Sequence, residues 1–199
     1  MLLYCNGGMM NIYEAKQRVI DLEKLVLSKK EFSNIIGKSL STTRVYVHRM
    51  KKKNLLKVIR GKLIFTENEF VIASQLIEPS YISLHSSLYL NNKIMQVPKK
   101  IECVNTKNTI LENTFEYYKI HPKLFFAFKK IRLSGSWAFV AEPEKALIDG
   151  IYLKRISEEL VLELLPVMRK NVLKDILLRI KKSNVKGTKR VIKFFEEVM

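Results

Sequence analysis

Three helical segments followed directly by a short hairpin pattern dominate the first third of this 199-residue chain. Apolar residues recur at three- and four-residue steps in these segments, and Asn11 is placed to cap the first one. The predicted helices are about Asn11–Leu27, Glu31–Ile36 and Ser41–Lys53. Two alternating stretches, Leu56–Ile59 and Lys62–Phe65, then flank Arg60-Gly61, which is the spacing of a two-residue hairpin. This order predicts a winged helix-turn-helix domain over residues 11–77.

Charge in this part of the chain is of one sign. From Phe32 to Thr66 no Asp or Glu occurs, although Glu31 and Glu67 stand on either side. The nine basic residues of this window are Lys38, Arg44, Arg49, Lys51, Lys52, Lys53, Lys57, Arg60 and Lys62. The whole chain carries a formal charge of +17, and such an excess favours a polyanionic partner. Because a solvated face normally mixes signs, this window predicts nucleic-acid binding.

The third predicted helix divides into two faces. Thr43, Val47 and Met50 share one stripe and are expected to pack on the first two helices. The opposite face is expected to enter the major groove of double-stranded DNA, where hydroxyl, guanidinium and apolar side chains can meet phosphates and base edges. Its residues are Ser41, Thr42, Arg44, Val45, His48, Arg49 and Lys52. Phosphate contacts are expected from the helix end and the wing, at Lys51, Lys52, Lys53, Lys57, Arg60 and Lys62.

The second half has a different pattern and predicts a mixed α/β domain ending in helices over residues 80–199, which makes the whole chain α+β. Glu78-Pro79-Ser80 is the expected boundary. The predicted strands are Ile101–Thr106, Thr109–Thr114 and Phe115–Ile120, with Lys107-Asn108 turning the first pair. The aromatic segment Leu124–Phe128 and a further apolar stretch, Trp137–Ala141, follow them. The predicted helices are Leu84–Leu90, Pro143–Leu153, Ser157–Leu165, Asn171–Lys182 and Thr188–Val198. The helical tail is expected to cap this domain or to pair subunits.

Three stretches of the second half carry a resemblance to a known family. They are Glu78–Leu88 (EPSYISLHSSL), His121–Phe128 (HPKLFFAF) and Ala141–Leu153 (AEPEKALIDGIYL). These stretches resemble the AbiEi family, which comprises antitoxins and regulators of type IV toxin–antitoxin systems and has an N-terminal winged helix-turn-helix. The similarity covers about Ile12 to Leu153, and the segment Arg132–Ser136 departs from the family's pattern.

The resemblance implies a transcriptional repressor that binds operator repeats upstream of its own operon. It also implies a nucleotidyltransferase-like toxin encoded nearby, with the C-terminal domain supplying the antitoxin activity through residues that the motifs do not identify. A stand-alone regulator that kept the fold without a toxin partner is the alternative. A homodimer on repeated half-sites stays open.

Enzyme motifs are missing from the sequence. Gly135-Ser136 invites comparison with nucleotidyltransferases, but no Asp-x-Asp follows, and two-metal chemistry needs clustered carboxylates. Glu142, Glu144 and Asp149 have the spacing of a helix surface, where Asp149 can pair with Lys145 four residues earlier. No catalytic residue, metal site or cofactor is therefore expected. A nucleic-acid-processing enzyme built from dispersed acidic residues is the less favoured reading.

Cysteine content and hydropathy bear on the compartment. The two cysteines, Cys5 and Cys103, build no disulfide framework, which suits a reducing cytoplasm. No stretch approaches the ~20 apolar residues of a membrane helix, and Met1–Tyr4 is far shorter than the apolar region of a signal peptide. A cytoplasmic protein without membrane contact is expected.

Overall fold

A computed structural model describes residues 10–199, so the predictions that rest on Cys5 and on Met1–Tyr4 lie outside the described residues. Helices at the start of the chain are followed by a mixed sheet and then by further helices, which confirms the predicted α+β class. Within residues 10–199 no helix is both long enough and apolar enough to cross a bilayer.

The first unit is a winged helix in which each of the three helices begins at a capping side chain. Its elements are α1 Ile12–Asp21, β1 Val26–Leu27, α2 Lys29–Ile36, α3 Leu40–Lys52, β2 Lys57–Ile59 and β3 Lys62–Ile64. Asn11 and Ser28 form capping boxes with Glu14 and Glu31, and Ser39 caps α3. Arg60 (φ 49°) and Gly61 (φ 77°) form the predicted two-residue turn between β2 and β3.

The first helix is shorter than its apolar pattern predicts. It ends at Asp21 rather than at Leu27, and Glu23 follows with a left-handed φ of 54°. Val26 and Leu27 instead form β1, which pairs antiparallel with β3 in a sheet of order β1-β3-β2. Both side chains are buried in the strand, so the same apolar residues reach the core in a different conformation.

A six-stranded mixed sheet forms the centre of the second unit. The chain reaches it through α4, Glu69–Leu76, which the sequence does not predict. The strands are β4 Ser80–Ile82, β5 Ile101–Asn105, β6 Ile110–Leu111, β7 Phe115–Lys119, β8 Phe128–Leu133 and β9 Ser136–Ala141. Their order is β6-β7-β5-β4-β9-β8. Strand β8, like α4, is absent from the predicted elements.

The pairing of β5, β6 and β7 differs from the expected hairpin. Lys107 and Asn108 do turn the chain, donating their backbone N–H groups to the Asn105 side chain at 2.8 and 3.1 Å. However, β6 does not pair with β5: it lies antiparallel to β7, while β5 and β7 are parallel neighbours. The predicted strand Thr109–Thr114 is reduced to Ile110–Leu111 at the sheet edge.

The helices of the second unit lie close to their predicted bounds. They are α5 Leu84–Leu90, α6 Pro143–Leu153, α7 Glu158–Leu164, α8 Lys170–Ser183 and α9 Thr188–Val198, with short 3-10 turns at Pro122–Leu124 and Leu165–Val167. The apolar stripe of α8, from Leu173 to Ile180, is buried in the chain's own core. The helical tail therefore caps the second unit.

The two faces of the six-stranded sheet are covered by different parts of the chain. One face, with Ile82, Cys103 and Tyr117, shares a buried cluster with α4 and with the winged-helix residues Val26 and Ile64. The other face packs on α5–α9 through buried residues that alternate with the first set, namely Tyr81, Val104, Tyr118 and Ala141. The molecule thus has three layers: winged helix with α4, sheet, and C-terminal helices.

The buried helix α4 packs between the two units, and the short exposed segment Glu78-Pro79 leads from it into β4. Gln75 is fully buried and accepts hydrogen bonds from Leu25 N and Val26 N at 3.1 and 3.2 Å. Its amide nitrogen donates to Ser136 Oγ and Trp137 O at 3.1 and 2.8 Å. The division at residues 78–80 stays a prediction, since Ser80 begins the buried strand β4 without a flexible spacer.

Candidate nucleic-acid interface

Helix α3 is held in the winged helix by one face of buried side chains. Thr43, Val47 and Met50 are buried as the periodicity predicts, and Tyr46 joins them. Thr43 also donates to Ser39 O at 2.8 Å, which ties the first turn of the helix. Burying side chains of this size contributes about 1.5–3 kcal/mol each, so the orientation of α3 is fixed by packing.

The opposite face of α3 is exposed and holds nine of the twelve predicted site residues. They are Ser41, Thr42, Arg44, Val45, His48, Arg49, Lys51, Lys52 and Lys53. Val45 has 47% of its surface accessible in the middle of this face. The structure therefore brings together on one helix the polar, cationic and apolar groups that direct reading of base edges requires.

Hydroxyl groups gather at the N-terminus of α3. Ser39 Oγ lies 2.8 Å from Ser41 Oγ and 3.0 Å from Thr42 Oγ1, and accepts the Thr42 backbone N–H at 3.2 Å. All three residues are exposed. A helix N-terminus with exposed donors suits contact with a phosphate oxygen, because the helix dipole is positive there.

The five cations of α3 have no carboxylate partner in the part of the chain that the structure describes. The ion pairs found among residues 10–199 involve none of Arg44, Arg49, Lys51, Lys52 and Lys53. An exposed, uncompensated charge of this size repels itself across one helix face. An anionic partner relieves that repulsion and releases its own counterions.

An open cleft of about 830 Å³ runs beside this face, between α3 and the start of α1. Ser41, Thr42, Val45 and Arg49 line one side of it, and Lys38 lies among them. The sequence places Lys38 in the basic window but does not assign it to the site. It immediately precedes the helix cap Ser39, and that position is the sequence signal that could have placed it here.

The three predicted residues of the wing differ from those of α3, because each has a carboxylate neighbour. Lys57 pairs with Glu67, and Arg60 pairs with Glu112 of the second unit. Lys62 lies 3.6 Å from Glu78 and donates to Gln75 O at 3.2 Å. Although the sequence between Phe32 and Thr66 contains no acidic residue, carboxylates from other parts of the chain therefore lie next to the wing in the folded structure. To contact a phosphate group of DNA, each of these side chains would have to give up its carboxylate neighbour.

The residues considered for catalysis are engaged in contacts within the fold. Ser136 is buried, donates to Glu23 O and accepts from Gln75. Glu144 is buried against Arg169, which donates to it from its backbone N, Nε and guanidinium at 2.9–3.0 Å. Within residues 10–199 no group of three or more His, Cys, Asp or Glu side chains is placed to hold a metal ion.

Asp149 belongs to a buried polar network on α6. It pairs with Lys145, as the four-residue spacing predicts, and accepts from the Tyr81 and Ser83 hydroxyls at 2.9 Å each. Lys145 in turn donates to Tyr81 Oη at 2.9 Å. Every member is fully or almost fully buried, so the network joins α6 to β4 away from solvent.

Comparison with known proteins adds no assignment: no protein-family model and no curated protein matches this chain.

Proposed function

We propose that this chain is a sequence-specific double-stranded DNA-binding transcriptional regulator that inserts α3 into the major groove. The observation that carries the proposal is the exposed face of α3, whose five cations have no carboxylate partner among the described residues. Its position after α1 and α2, and before a two-stranded wing, is the arrangement in which a recognition helix reads DNA. The chain is proposed to act without a catalytic step or a cofactor.

The α3 residues divide between base reading and phosphate contact. Arg44, Val45 and Arg49 lie along the exposed face and are proposed to meet base edges, Arg by bidentate bonds to guanine. Lys51, Lys52 and Lys53 lie at the C-terminal end and are proposed to contact phosphate. The wing cations are secondary, because carboxylates already neutralise them in the free protein.

The resemblance to the AbiEi family supports a narrower proposal: a cytoplasmic antitoxin that represses its own operon and acts beside a nucleotidyltransferase-like toxin. A nucleotidyltransferase-like reading frame adjacent to this gene is the expected observation. In a co-expression assay, an Arg44/Arg49→Ala chain should then lose repression of an operator reporter while still protecting cells from that toxin. An isolated gene would favour the stand-alone regulator.

A gel-shift series tests the DNA-binding proposal. The probe is duplex DNA from upstream of the gene, with a scrambled duplex of equal length as competitor. Arg44→Ala and Arg49→Ala should each weaken specific binding by about 1–3 kcal/mol, or roughly 5- to 150-fold in Kd. Lys51→Ala should weaken both duplexes alike and reduce the slope of log K against log salt by about 0.9.

Arg18→Ala is the matched control, since Arg18 is an exposed arginine of α1 without an ion pair among the described residues. It should bind the upstream duplex with wild-type affinity. Equal affinity of the wild-type chain for the upstream and scrambled duplexes would refute sequence-specific binding. Unchanged binding in both arginine variants of α3 would refute the assignment of the recognition face.

A further inference from the structure

A second stretch of chain that contains basic but no acidic residues lies near the C-terminus. Between Ile176 and Phe195 there are seven Lys and Arg residues and no Asp or Glu. They are Arg179, Lys181, Lys182, Lys186, Lys189, Arg190 and Lys193. The segment Tyr117–Ala141 is also free of acids and contains Lys123 in the first 3-10 turn. The one-sign pattern that marks α3 therefore recurs in the third layer of the molecule.

These segments converge on one place. A narrow space below the surface is lined by residues of these segments and of α6, namely Leu124, Lys145, Ile148, Asp149, Tyr152, Ile180, Thr188 and Val191; Asp149 is already paired with Lys145. The 3-10 turn, the end of α6, the end of α8 and the start of α9 therefore meet there. Hydrogen bonds at the rim confirm the arrangement: Lys123 Nζ donates to Ser183 O at 3.5 Å, and Tyr152 Oη donates to Lys186 O at 3.4 Å.

Two arginines are held at this rim by contacts that leave them exposed. The Arg190 guanidinium donates to Ile151 O at 2.6 Å and Tyr152 O at 3.3 Å, so it caps the C-terminus of α6. The Arg179 guanidinium lies 3.9 Å from the centre of the Phe126 ring, within cation–π range. Their charges are thus fixed in position before any partner arrives.

We name this rim the C-terminal basic surface and define it by Lys123, Lys154, Arg179, Lys182, Lys186 and Arg190, all of them exposed. Among residues 10–199 none of the six forms an ion pair; the pairs on α8 and α9 are Lys181–Glu196 and Lys193–Glu197. Asp175, one turn before Arg179, is the nearest carboxylate along α8. Like the α3 face, this surface therefore carries cations that have no carboxylate partner among the described residues.

The C-terminal basic surface and α3 lie on opposite sides of the six-stranded sheet. Helices α6, α8 and α9 cover one face, whereas the winged helix and α4 cover the other. The sheet therefore separates the two basic surfaces. We propose that the C-terminal basic surface binds the phosphate backbone of a second duplex DNA segment, so that one chain bridges two segments.

The chemistry of the surface favours a duplex backbone over unpaired bases. Single-strand binding sites combine cations with exposed aromatic rings on which bases stack. Here the Phe126 ring is buried and covered by Arg179, and Tyr152 is half-buried with its hydroxyl turned to Lys186 O. What remains accessible is a set of lysine and arginine charges, which hold phosphates without reading sequence.

The bridging of two duplexes rests on the duplex binding proposed for α3. DNA binding by the C-terminal basic surface alone does not depend on α3. The test immobilises the upstream duplex on beads, adds the full chain, and measures capture of a labelled, short, random-sequence duplex from solution. The variant is Lys154/Lys182/Lys186→Ala. The control is Lys99/Lys170/Lys174→Ala, which removes the same charge from exposed lysines outside the C-terminal basic surface.

The surface variant should keep its affinity for the immobilised duplex within about 2-fold and lose capture of the soluble duplex about 10-fold or more at moderate salt. For binding of the soluble duplex, the slope of log K against log salt should fall by about 2.7, which is ~0.9 for each of the phosphate contacts removed. The control should match the wild-type chain in both measurements.

If the surface variant captures as much soluble duplex as the control variant does, the proposal is overturned. Any bridging would then come from two chains that each bind one duplex. Stronger competition by a single-stranded RNA than by an equal mass of duplex would also overturn it. The Arg44/Arg49→Ala chain separates the two proposals. If this chain still binds duplex DNA in solution, and the added Lys154/Lys182/Lys186→Ala substitutions abolish that binding, the C-terminal basic surface binds DNA. That conclusion holds even if the gel-shift series refutes the role of α3.

Discussion

The buried pair Lys145–Asp149 offers a quantitative test of how the third layer is held on the sheet. Both side chains are almost completely removed from solvent, and the Tyr81 and Ser83 hydroxyls use the remaining carboxylate oxygen. Burial lowers the pKa of Lys145 even though Asp149 opposes that shift. The charge on the lysine therefore depends on the carboxylate beside it.

Asp149→Asn keeps the shape of the side chain and one acceptor oxygen but removes the charge. The ammonium of Lys145 is then buried without a counterion, which costs about 3–5 kcal/mol. For a chain of 199 residues this corresponds to a fall of roughly 6–20 °C in Tm. Since the folded chain then binds a proton on Lys145 less readily than the unfolded one, the variant should recover stability as pH rises toward the ordinary lysine pKa of 10.5.

The matched second variant is Lys145→Met/Asp149→Asn, which removes both charges and keeps an acceptor for the two hydroxyls. It should be more stable than Asp149→Asn alone, because its remaining cost is about 1–3 kcal/mol for one unpaired amide donor. Urea unfolding followed by tryptophan fluorescence and circular dichroism measures both chains. A double variant less stable than the single one, or a single variant within about 1 kcal/mol of wild type, would refute the reasoning.

Three further outcomes follow from the contacts described. Glu112→Gln removes the carboxylate partner of the wing residue Arg60. In the gel shift it should raise duplex affinity a few-fold and the slope of log K against log salt by up to about 0.9. The control Glu163→Gln on α7 should change neither quantity. The hydrogen bond that the protonated His85 imidazole donates to the Glu102 carboxylate raises the pKa of His85 above 6.5 despite partial burial. The stabilisation from this pair is therefore complete below pH 6.5 and is lost as pH rises through the raised value. A proton NMR titration of His85 should show this, and Glu102→Gln should return the midpoint toward 6.5; an unchanged midpoint would contradict the assignment. Gly150→Ala brings a Cβ to 2.6 Å from the Ile156 side chain and should cost about 1–3 kcal/mol in urea unfolding, so a neutral result would show that Ile156 moves aside.

Local signals in the sequence predict where most of the helices begin, although α4 is missed. The N-caps Asn11 and Ser157, Pro143 at the start of α6, and Gly187 before α9 all lie next to helices of the structure. Capping and periodicity are properties of a few adjacent residues, so they are visible without knowledge of the rest of the chain. The α3 face could be predicted for the same reason.

Features that depend on distant residues could not be predicted. The continued apolar pattern after Asp21 favours a longer α1, and only pairing with Ile64 and Leu63 makes Val26–Leu27 a strand. Likewise, proximity in sequence suggests that β5 pairs with β6, whereas the sheet places β7 beside β5. Pairing between separated segments gains its hydrogen bonds only once the whole sheet has formed.

The electrostatics of the wing show the same limit. A window of one sign predicts a uniformly free basic surface, but Arg60 meets Glu112, 52 positions along the chain. A run of sequence with charges of one sign therefore predicts an unpaired basic surface reliably along one helix, where neighbours in space are neighbours in the chain. It is a weaker guide for a hairpin that packs against another unit.

The burial of α4 determines how the activities of this chain can be separated by experiment. A chain cut after residue 77 would expose Ile72, Ala73 and Leu76 to water and leave the Gln75 amide nitrogen without its two acceptors. Such a fragment carries a new apolar patch that promotes aggregation. Loss of the proposed repression or toxin protection after deletion would then report on solubility. Surface substitutions in the full-length chain, rather than truncation, are the means of telling one activity from the other.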